Sequence, residues 1–284
     1  MINKLTIQVL CDNTASADYI GEHGLSFFVK SDNINILFDT GRGYAFEHNA
    51  KVSKLNLQET DYLIFSHGHY DHTGGISDFF KIQETEKKEK ENKLKILLHP
   101  NALKEKYSKT ADGPKYIGIS PDAKSILLKH SNITETTTEL AIISPDIKLT
   151  GEIPHTNPQE SGETKFYLDK NLSKPDKLLD DKALFFNTSK GIVVLLGCCH
   201  SGLGNTLDYI SKIERTDNIY AVIGGTHLRS ADKTRLDFTV EILKKYKISF
   251  FAPNHCTGQH STSYIYSQMP SLIHPAPAGT VFTF

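Results

Sequence analysis

The sequence is poor in cysteine and has no long apolar segment. Its 284 residues include four cysteines whose spacing does not fit a disulfide framework, which excludes a small disulfide-stabilised fold and indicates a reducing compartment. No run of about eighteen uncharged apolar residues occurs, so a transmembrane helix is excluded. The N-terminal segment 1–10 is too short and too alternating in polarity for a signal peptide. We therefore predict a cytoplasmic protein that does not contact a membrane.

The sequence also lacks an excess of charge of either sign. Lys and Arg number 32 against 33 Asp and Glu, and the resulting net charge of −1 excludes the basic surface by which proteins bind nucleic acid or anionic membranes. A hydrophobic content of 38% is sufficient for a core. We predict one globular domain over residues 1–284 with a small-molecule substrate; the oligomeric state is not determined by the sequence.

Periodicity predicts helices at 44–54 and 121–129, a helical patch at 102–107, and a loop at 112–120. The polar run 83–93 contains no apolar residue, so it is either the solvated end of a helix or a loop. These patterns, together with β-favouring runs in both halves, indicate a mixed α and β protein.

The histidines are concentrated where apolar runs end, and the densest group follows the predicted strand 62–65. His67 and His69 stand two apart, so in extended backbone their imidazoles project to the same side. Asp71 and His72 follow after a glycine-flanked bend and can face the same space from another direction. Imidazole with one carboxylate suits Zn²⁺ first, with Mn²⁺ or Fe²⁺ also suitable. The pattern predicts one or two metal ions.

Three further histidines, His200, His227 and His255, each follow a predicted strand in the second half of the chain. In layered α/β architectures functional side chains cluster at the carboxyl ends of strands, so these histidines can converge with the first group.

Three other positions carry candidate functional side chains. On turn chemistry alone, Asp39 opens a simple turn. His23, in a Glu-His-Gly segment, and His155, in a predicted loop at the edge of a cleft, are candidate substrate contacts.

The segment His67–His72 resembles the H-x-H-x-D-H signature of the metallo-β-lactamase superfamily. This resemblance implies an α+β fold, a four-layer αββα sandwich with metals in a cleft along one sheet edge. We expect the irregular segment 101–155 to form an insertion over that cleft. The resemblance further implies a role for Asp39 in supporting the metal-binding loop. It implies two ligand sets: His67, His69 and His200 for one metal, and Asp71, His72 and His255 for the other.

The segment Gly224–His227 departs from the superfamily pattern. Most superfamily hydrolases have there a Gly-Asp whose carboxylate bridges both metals, so the bridging ligand and the occupancy of the second site are open. His227 is a ligand, a catalytic residue acting on the substrate, or a structural residue. Cys198, Cys199 and Cys256 are either additional ligands or buried thiols.

Four segments, Glu22–Ser26, Gly151–Pro154, Leu196–Gly202 and Ile223–Leu228, resemble one subgroup of the superfamily. That subgroup includes archaeal dihydropterin ribofuranosylaminobenzene phosphate synthases, which are assigned a condensation with loss of pyrophosphate, and many relatives described only as metal-dependent hydrolases.

The resemblance implies a metal-dependent hydrolase-like enzyme acting on a small phosphorylated or diphosphorylated metabolite. One alternative is a transferase that condenses a dihydropterin diphosphate with ribofuranosylaminobenzene phosphate; a second is a non-enzymatic metal-binding protein. We predict that Asp71 orients water or accepts its proton. His23, His155, His227 and Arg229 are predicted to contact phosphate oxygens.

Overall fold

The computed structural model describes residues 1–84, 94–160 and 164–284. The chain folds into two compact units. The N-terminal unit comprises the described residues of Lys4–Thr138, Thr164–Asp180 and Pro277–Phe284, and the C-terminal unit those of Met1–Asn3, Glu139–Glu163 and Asp181–Ala276. The single domain over 1–284 remains a prediction.

The described residues form the following strands, numbered in chain order: β1 Leu5–Cys11, β2 Ser26–Ser31, β3 Ile34–Phe38, β4 Tyr62–Ile64, β5 Lys95–Leu98, β6 Tyr107–Thr110, β7 Gly113–Tyr116, β8 Thr134–Thr136, β9 Ala141–Ser144, β10 Ile147–Leu149, β11 Phe166–Tyr167, β12 Ala183–Thr188, β13 Gly191–Leu196, β14 Ile219–Gly224, β15 Phe250–Pro253 and β16 Val281–Thr283. The helices are α1 Phe46–Val52, α2 Tyr70–Thr73, α3 Ile76–Glu84, α4 Pro121–Lys129, α5 Leu203–Glu214, α6 Lys233–Lys245 and α7 Gln259–Gln268. No helix in these ranges combines the length and apolar character needed to cross a membrane.

A seven-stranded sheet forms the centre of the N-terminal unit, with the order β16-β1-β2-β3-β4-β5-β8. Strands β1 to β3 are antiparallel, whereas β3, β4, β5 and β8 are parallel. Phe46 and Ala50, four residues apart on one face of α1, pack with Phe79 of α3 against Leu37 and Leu63 of the sheet. This core places the carboxyl end of β4, where the metal motif begins, beside the ends of β3 and β5.

A six-stranded sheet forms the centre of the C-terminal unit, with the order β15-β14-β13-β12-β10-β9. Every residue of β13 is buried, as expected of an apolar run covered on both faces. β12 and β13 form an antiparallel hairpin, and β13, β14 and β15 are parallel. The carboxyl ends of these three strands therefore lie at the same edge of the sheet.

The predicted helices at 121–129 and 44–54 are confirmed as α4 and α1. The predicted helical patch at 102–107 is wrong, because a single 3₁₀ turn over Pro100–Leu103 is followed by β6, which pairs with β7 inside the predicted loop. Cross-strand pairing therefore overrode the local helical pattern.

The polar run 83–93 begins with the last turn of α3, and its residues 85–93 lie outside the described residues. The predicted insertion 101–155 supplies β6, β7, α4 and β8 to the N-terminal unit, and β9 and β10 to the C-terminal unit. Its position over a cleft remains a prediction.

A buried ion cluster connects Lys106, the residue before β6, with two aspartates, Asp176 and Asp180. Lys106 Nζ lies 2.6 Å from Asp176 Oδ2 and 2.9 Å from Asp180 Oδ1, and the three side chains are at most 2% exposed. Burial by itself lowers the pKa of a lysine, but the charges of Asp180 and Asp176 outweigh it and raise the pKa of Lys106 above its usual value. The buried cation is thus stabilised by two buried carboxylates.

We predict that Lys106→Met lowers the free energy of unfolding by about 3–5 kcal/mol, because the substitution leaves two carboxylates buried without their cation. Urea unfolding followed by circular dichroism measures the loss. Lys104→Met is the control, since Lys104 is exposed and its loss should change the free energy by no more than about 0.5 kcal/mol. Equal effects of the two substitutions would contradict the prediction.

Candidate metal centre

The loop after β4 carries the first histidine group of the N-terminal unit. The hydrogen bonds between β4 and β5 end at Phe65, which donates its N–H to the Leu97 carbonyl oxygen at 3.0 Å. Helix α2 begins directly after His69. A side chain at Gly68 would bring its Cβ within 2.3 Å of the Ala102 carbonyl oxygen. Gly68 is therefore required for the close approach that bends the loop.

His67 and His69 converge within this loop. Both are buried, and His67 Nε2 lies 3.0 Å from His69 Nδ1. The other nitrogen of His67, Nδ1, lies 2.9 Å from Ser66 Oγ, which sets the orientation of the ring. Two nitrogens on a tetrahedral zinc ion are about 3.3 Å apart. The pair therefore fits two positions of a metal coordination sphere.

Burial, together with the nearby charge of Lys106, lowers the pKa of His69 to about 3. The imidazole is therefore neutral near neutral pH. This is the protonation state in which histidine binds a metal.

The fully buried carboxylate of Asp39 supports the same loop. Asp39 Oδ1 accepts the Ser66 N–H at 2.7 Å, while Oδ2 accepts the Ser66 hydroxyl at 2.6 Å and lies 2.7 Å from His72 Nδ1. An Nδ1–H donated to Asp39 leaves His72 Nε2 with its lone pair for a metal. Asp39 thus contacts both the loop backbone and His72; its supporting role for a metal ligand remains a prediction.

Asp71 and His23, both predicted site residues, lie against each other. His23 Nε2 is 3.2 Å from Asp71 Oδ2, with the side chain of His23 40% exposed and that of Asp71 10% exposed. The preceding residue, Glu22, accepts backbone N–H groups from Arg42, Tyr44 and Ala45 at 2.8 to 2.9 Å. Glu22 therefore anchors the turn that carries His23.

Three polar residues that support the motif loops were missed by the sequence analysis. Asp180 Oδ2 accepts the N–H of Gly68, between His67 and His69, at 2.9 Å. In the C-terminal unit, Asp181 Oδ2 accepts the Ser201 N–H at 2.8 Å, and Glu160 accepts two N–H groups at the start of α5. None of the three has a local sequence signal, because each contacts a residue distant in the chain.

In the C-terminal unit, the parallel strands deliver His200, His227 and His255 to one sheet edge. The rings of His200 and His227 have centroids 4.4 Å apart. Cys199, His227 and His255 have φ angles of 56°, 51° and 50°. Such left-handed backbone is unfavourable for these residue types and is concentrated at functional sites.

Two cysteines of this unit lie among the histidines, and a third does not. The donor atoms of Cys198, His200 and His227 lie within 4.8 Å of one another, and the same limit holds for Cys198, His255 and Cys256. Cys199 Sγ instead contacts Thr206 Oγ1 at 3.5 Å, and burial raises the pKa of its thiol well above the usual value.

The predicted substrate contacts His155 and Arg229 are both exposed. Arg229 donates its backbone N–H to the Cys256 carbonyl oxygen at 3.2 Å, and His227 donates its backbone N–H to Cys256 Sγ at 3.3 Å. His227 and Arg229 thus share one turn held against Cys256. His155 precedes Thr156, whose backbone N–H bonds to Asn205 Oδ1 at 2.9 Å.

Known proteins resemble this chain over nearly its whole length. The family description "metallo-beta-lactamase superfamily" matches residues 19–161. The uncharacterized protein MJ0448 of Methanocaldococcus jannaschii is 34% identical over 273 residues, 94% of this chain and 96% of that protein. The 7,8-dihydropterin-6-methyl-4-(beta-D-ribofuranosyl)-aminobenzene-5'-phosphate synthase of the same organism is 28% identical over 295 residues, covering 100% of this chain and 98% of that protein.

The solved structure of Tm1679, a metal-dependent hydrolase of the beta-lactamase superfamily, matches with a TM-score of 0.76 and 27% identity over 98% of both chains. The predicted resemblance and the metallo-β-lactamase fold are confirmed, and this fold implies that the chain binds a divalent metal. The roles of the individual site residues remain predictions. The chain belongs to the metallo-β-lactamase superfamily.

Proposed function

We propose that this protein is a metal-dependent, hydrolase-like enzyme that acts on a small phosphorylated or diphosphorylated metabolite. The observation that carries the proposal is the convergence of His67 Nε2 and His69 Nδ1 at 3.0 Å in a buried loop supported by Asp39. The proposed ligands are the six residues predicted from the motifs: His67, His69, Asp71, His72, His200 and His255.

These nitrogen and oxygen donors suit zinc first, with manganese or iron as alternatives. When bound, such a metal supplies Lewis acidity that activates water and neutralises negative charge on phosphate oxygens. The chain's own residues prepare the site. Asp39 holds the Nδ1 side of His72, and His23 fixes one oxygen of Asp71. Asp71 is then positioned to bind a metal and to orient water or accept its proton.

The exposed side chain of Arg229 and the imidazole of His227 are proposed to contact phosphate oxygens. They share one turn, so a substrate phosphate could engage both. His23 and His155 are proposed as further substrate contacts, and both are exposed. Charge-assisted hydrogen bonds of this type contribute on the order of 1.5–3 kcal/mol each.

A transferase is the second candidate, and the synthase relative that aligns with the full chain at 28% identity favours it. A transferase of this type would bind a dihydropterin diphosphate and exclude water, so that the amine of ribofuranosylaminobenzene phosphate forms the new bond to the pterin and pyrophosphate leaves. A hydrolase would admit water. A non-enzymatic metal-binding protein would bind metal without turnover.

We predict that protein purified without chelator contains a stoichiometric transition metal, measured by inductively coupled plasma mass spectrometry. His67→Ala together with His69→Ala should remove most of it, because two converging donors are lost. His48→Ala is the control, since His48 is an exposed residue on α1. Substoichiometric metal in the unmodified protein, with no activity restored by zinc, manganese or iron, would refute the proposal.

We predict that Asp180→Asn lowers zinc affinity about tenfold or more, as is common for residues that orient ligands. Asp176→Asn serves as a matched control. Both substitutions remove one carboxylate from Lys106, but only Asp180 also accepts the N–H of Gly68. Competition with a chromogenic chelator measures the affinity. If the two variants bind zinc equally well, the Gly68 contact does not support the loop as we expect.

We predict turnover of phosphate or diphosphate esters, with His227→Ala lowering kcat/KM roughly tenfold or more through loss of a substrate contact. The zinc and manganese forms are screened against phosphomonoesters, phosphodiesters, pterin diphosphates, thioesters and lactones. His260→Ala, an exposed residue of α7, is the control.

A purely structural His227 would instead lower the melting temperature. Turnover of lactones or thioesters alone, with His227→Ala fully active, would be incompatible with both the phosphate substrate and the role of His227.

A further inference from the structure

A cluster of sulfur and imidazole donors lies at the sheet edge of the C-terminal unit. Cys198 follows β13, and Cys256 lies in the turn after β15. Cys198 belongs to two groups of donors from this unit, one with His255 and Cys256 and the other with His200 and His227. Within each group the donor atoms lie within 4.8 Å of one another. Donors on a tetrahedral zinc ion are roughly 3.3–3.8 Å apart, so small side-chain shifts would bring either group onto one ion.

The backbone at Gly225 lies directly against the sulfur atom of Cys256. A Cβ at Gly225 would lie 2.5 Å from Cys256 Sγ and 2.6 Å from the Gly197 carbonyl oxygen, so no side chain is accommodated there. The next residue, Thr226, directs its hydroxyl to Thr257 Oγ1 at 3.0 Å. The turn after β14 thus provides no carboxylate at these two positions and instead packs against a thiol.

We propose that Cys198 is a thiolate ligand of the metal centre, acting beside His255 and Cys256 and within reach of His200. This inference rests on the proposed metal-dependent function. Thiolate is a soft donor, so the site would bind thiophilic divalent cations such as zinc, cobalt or ferrous iron in preference to manganese or magnesium.

The contacts of Cys256 and the backbone conformation of His227 and His255 support this assignment. The backbone N–H of His227 donates to Cys256 Sγ at 3.3 Å, which orients the sulfur, and Cys256 Sγ lies 3.5 Å from the Cys198 carbonyl oxygen. His227 and His255, which flank these sulfurs, have left-handed backbone with φ angles of 51° and 50°. Backbone of this kind persists where the surrounding structure holds side chains in a required position.

Cys199 provides a matched comparison. It is adjacent in sequence and as buried as Cys198, with both residues 3% exposed. Its Sγ contacts Thr206 Oγ1, and the residue packs in the apolar core of the unit. Within the described ranges, Cys199 belongs to none of the donor groups that could hold a metal.

The test is cobalt binding to the full-length protein, kept reduced and free of other metals. We expect the unmodified protein to develop the intense near-ultraviolet absorption of sulfur-to-cobalt charge transfer in proportion to bound cobalt. The absorption should weaken in Cys198→Ser, disappear in the Cys198→Ser/Cys256→Ser double variant, and remain in Cys199→Ser. X-ray absorption of the zinc form should show a zinc–sulfur distance of about 2.3 Å.

Bound cobalt without this absorption in the unmodified protein would overturn the inference while leaving the proposed function intact. The same conclusion would follow if Cys198→Ser retained the full absorption. Failure of the unmodified protein to bind cobalt or zinc would overturn the proposed function, and the inference with it. The unmodified protein decides whether a thiolate binds the metal, and Cys198→Ser, with Cys199→Ser as its control, decides whether Cys198 supplies it.

Discussion

The carboxylate of Asp39 is the constraint on which the histidine-bearing loop after β4 in the N-terminal unit depends. It is fully buried and accepts hydrogen bonds from the backbone and hydroxyl of Ser66, with His72 Nδ1 also in contact. Asp39 itself has a φ of 61°, an unfavourable conformation for a residue with a side chain. One strained residue at the end of β3 thus links the loop to a neighbouring strand and sets the orientation of a histidine ring.

Other buried polar groups extend this support to both units. Asp180 connects Gly68 to Lys106, while Glu22 holds the turn that follows Asp39. In the C-terminal unit, Glu160 and Asp181 bind N–H groups in the segment after His200. Hydrogen bonds to buried carboxylates are strong where water is excluded, so these contacts restrict the conformations of the loops. Histidine side chains on loops held in this way lose little conformational entropy when they bind a ligand.

The C-terminal unit differs from the N-terminal unit in the donors that it presents. The predicted site residues of the N-terminal unit are imidazole and carboxylate groups. The turns after β13 and β15 carry thiols whose sulfur atoms lie close to histidine nitrogens. Gly225, whose position leaves no space for a side chain, lies in the segment Gly224–His227, where the sequence departs from the Gly-Asp of most superfamily hydrolases. A softer donor set would change metal preference and the charge of the centre, and with them the substrates that it can activate.

The sequence alone determined the family, the metal motif and the main strands and helices. These features can be recognised from residues that are neighbours in the sequence. Examples are a fully buried apolar strand, a pair of histidines two residues apart, and the helix that begins at Ser120 and Pro121. Tertiary structure decided the rest. The β6–β7 hairpin replaced a predicted helical patch because pairing across a turn outweighed local propensity. The contact of Gly68 with Asp180 joins residues 112 apart in the chain, and no pattern near either residue records it.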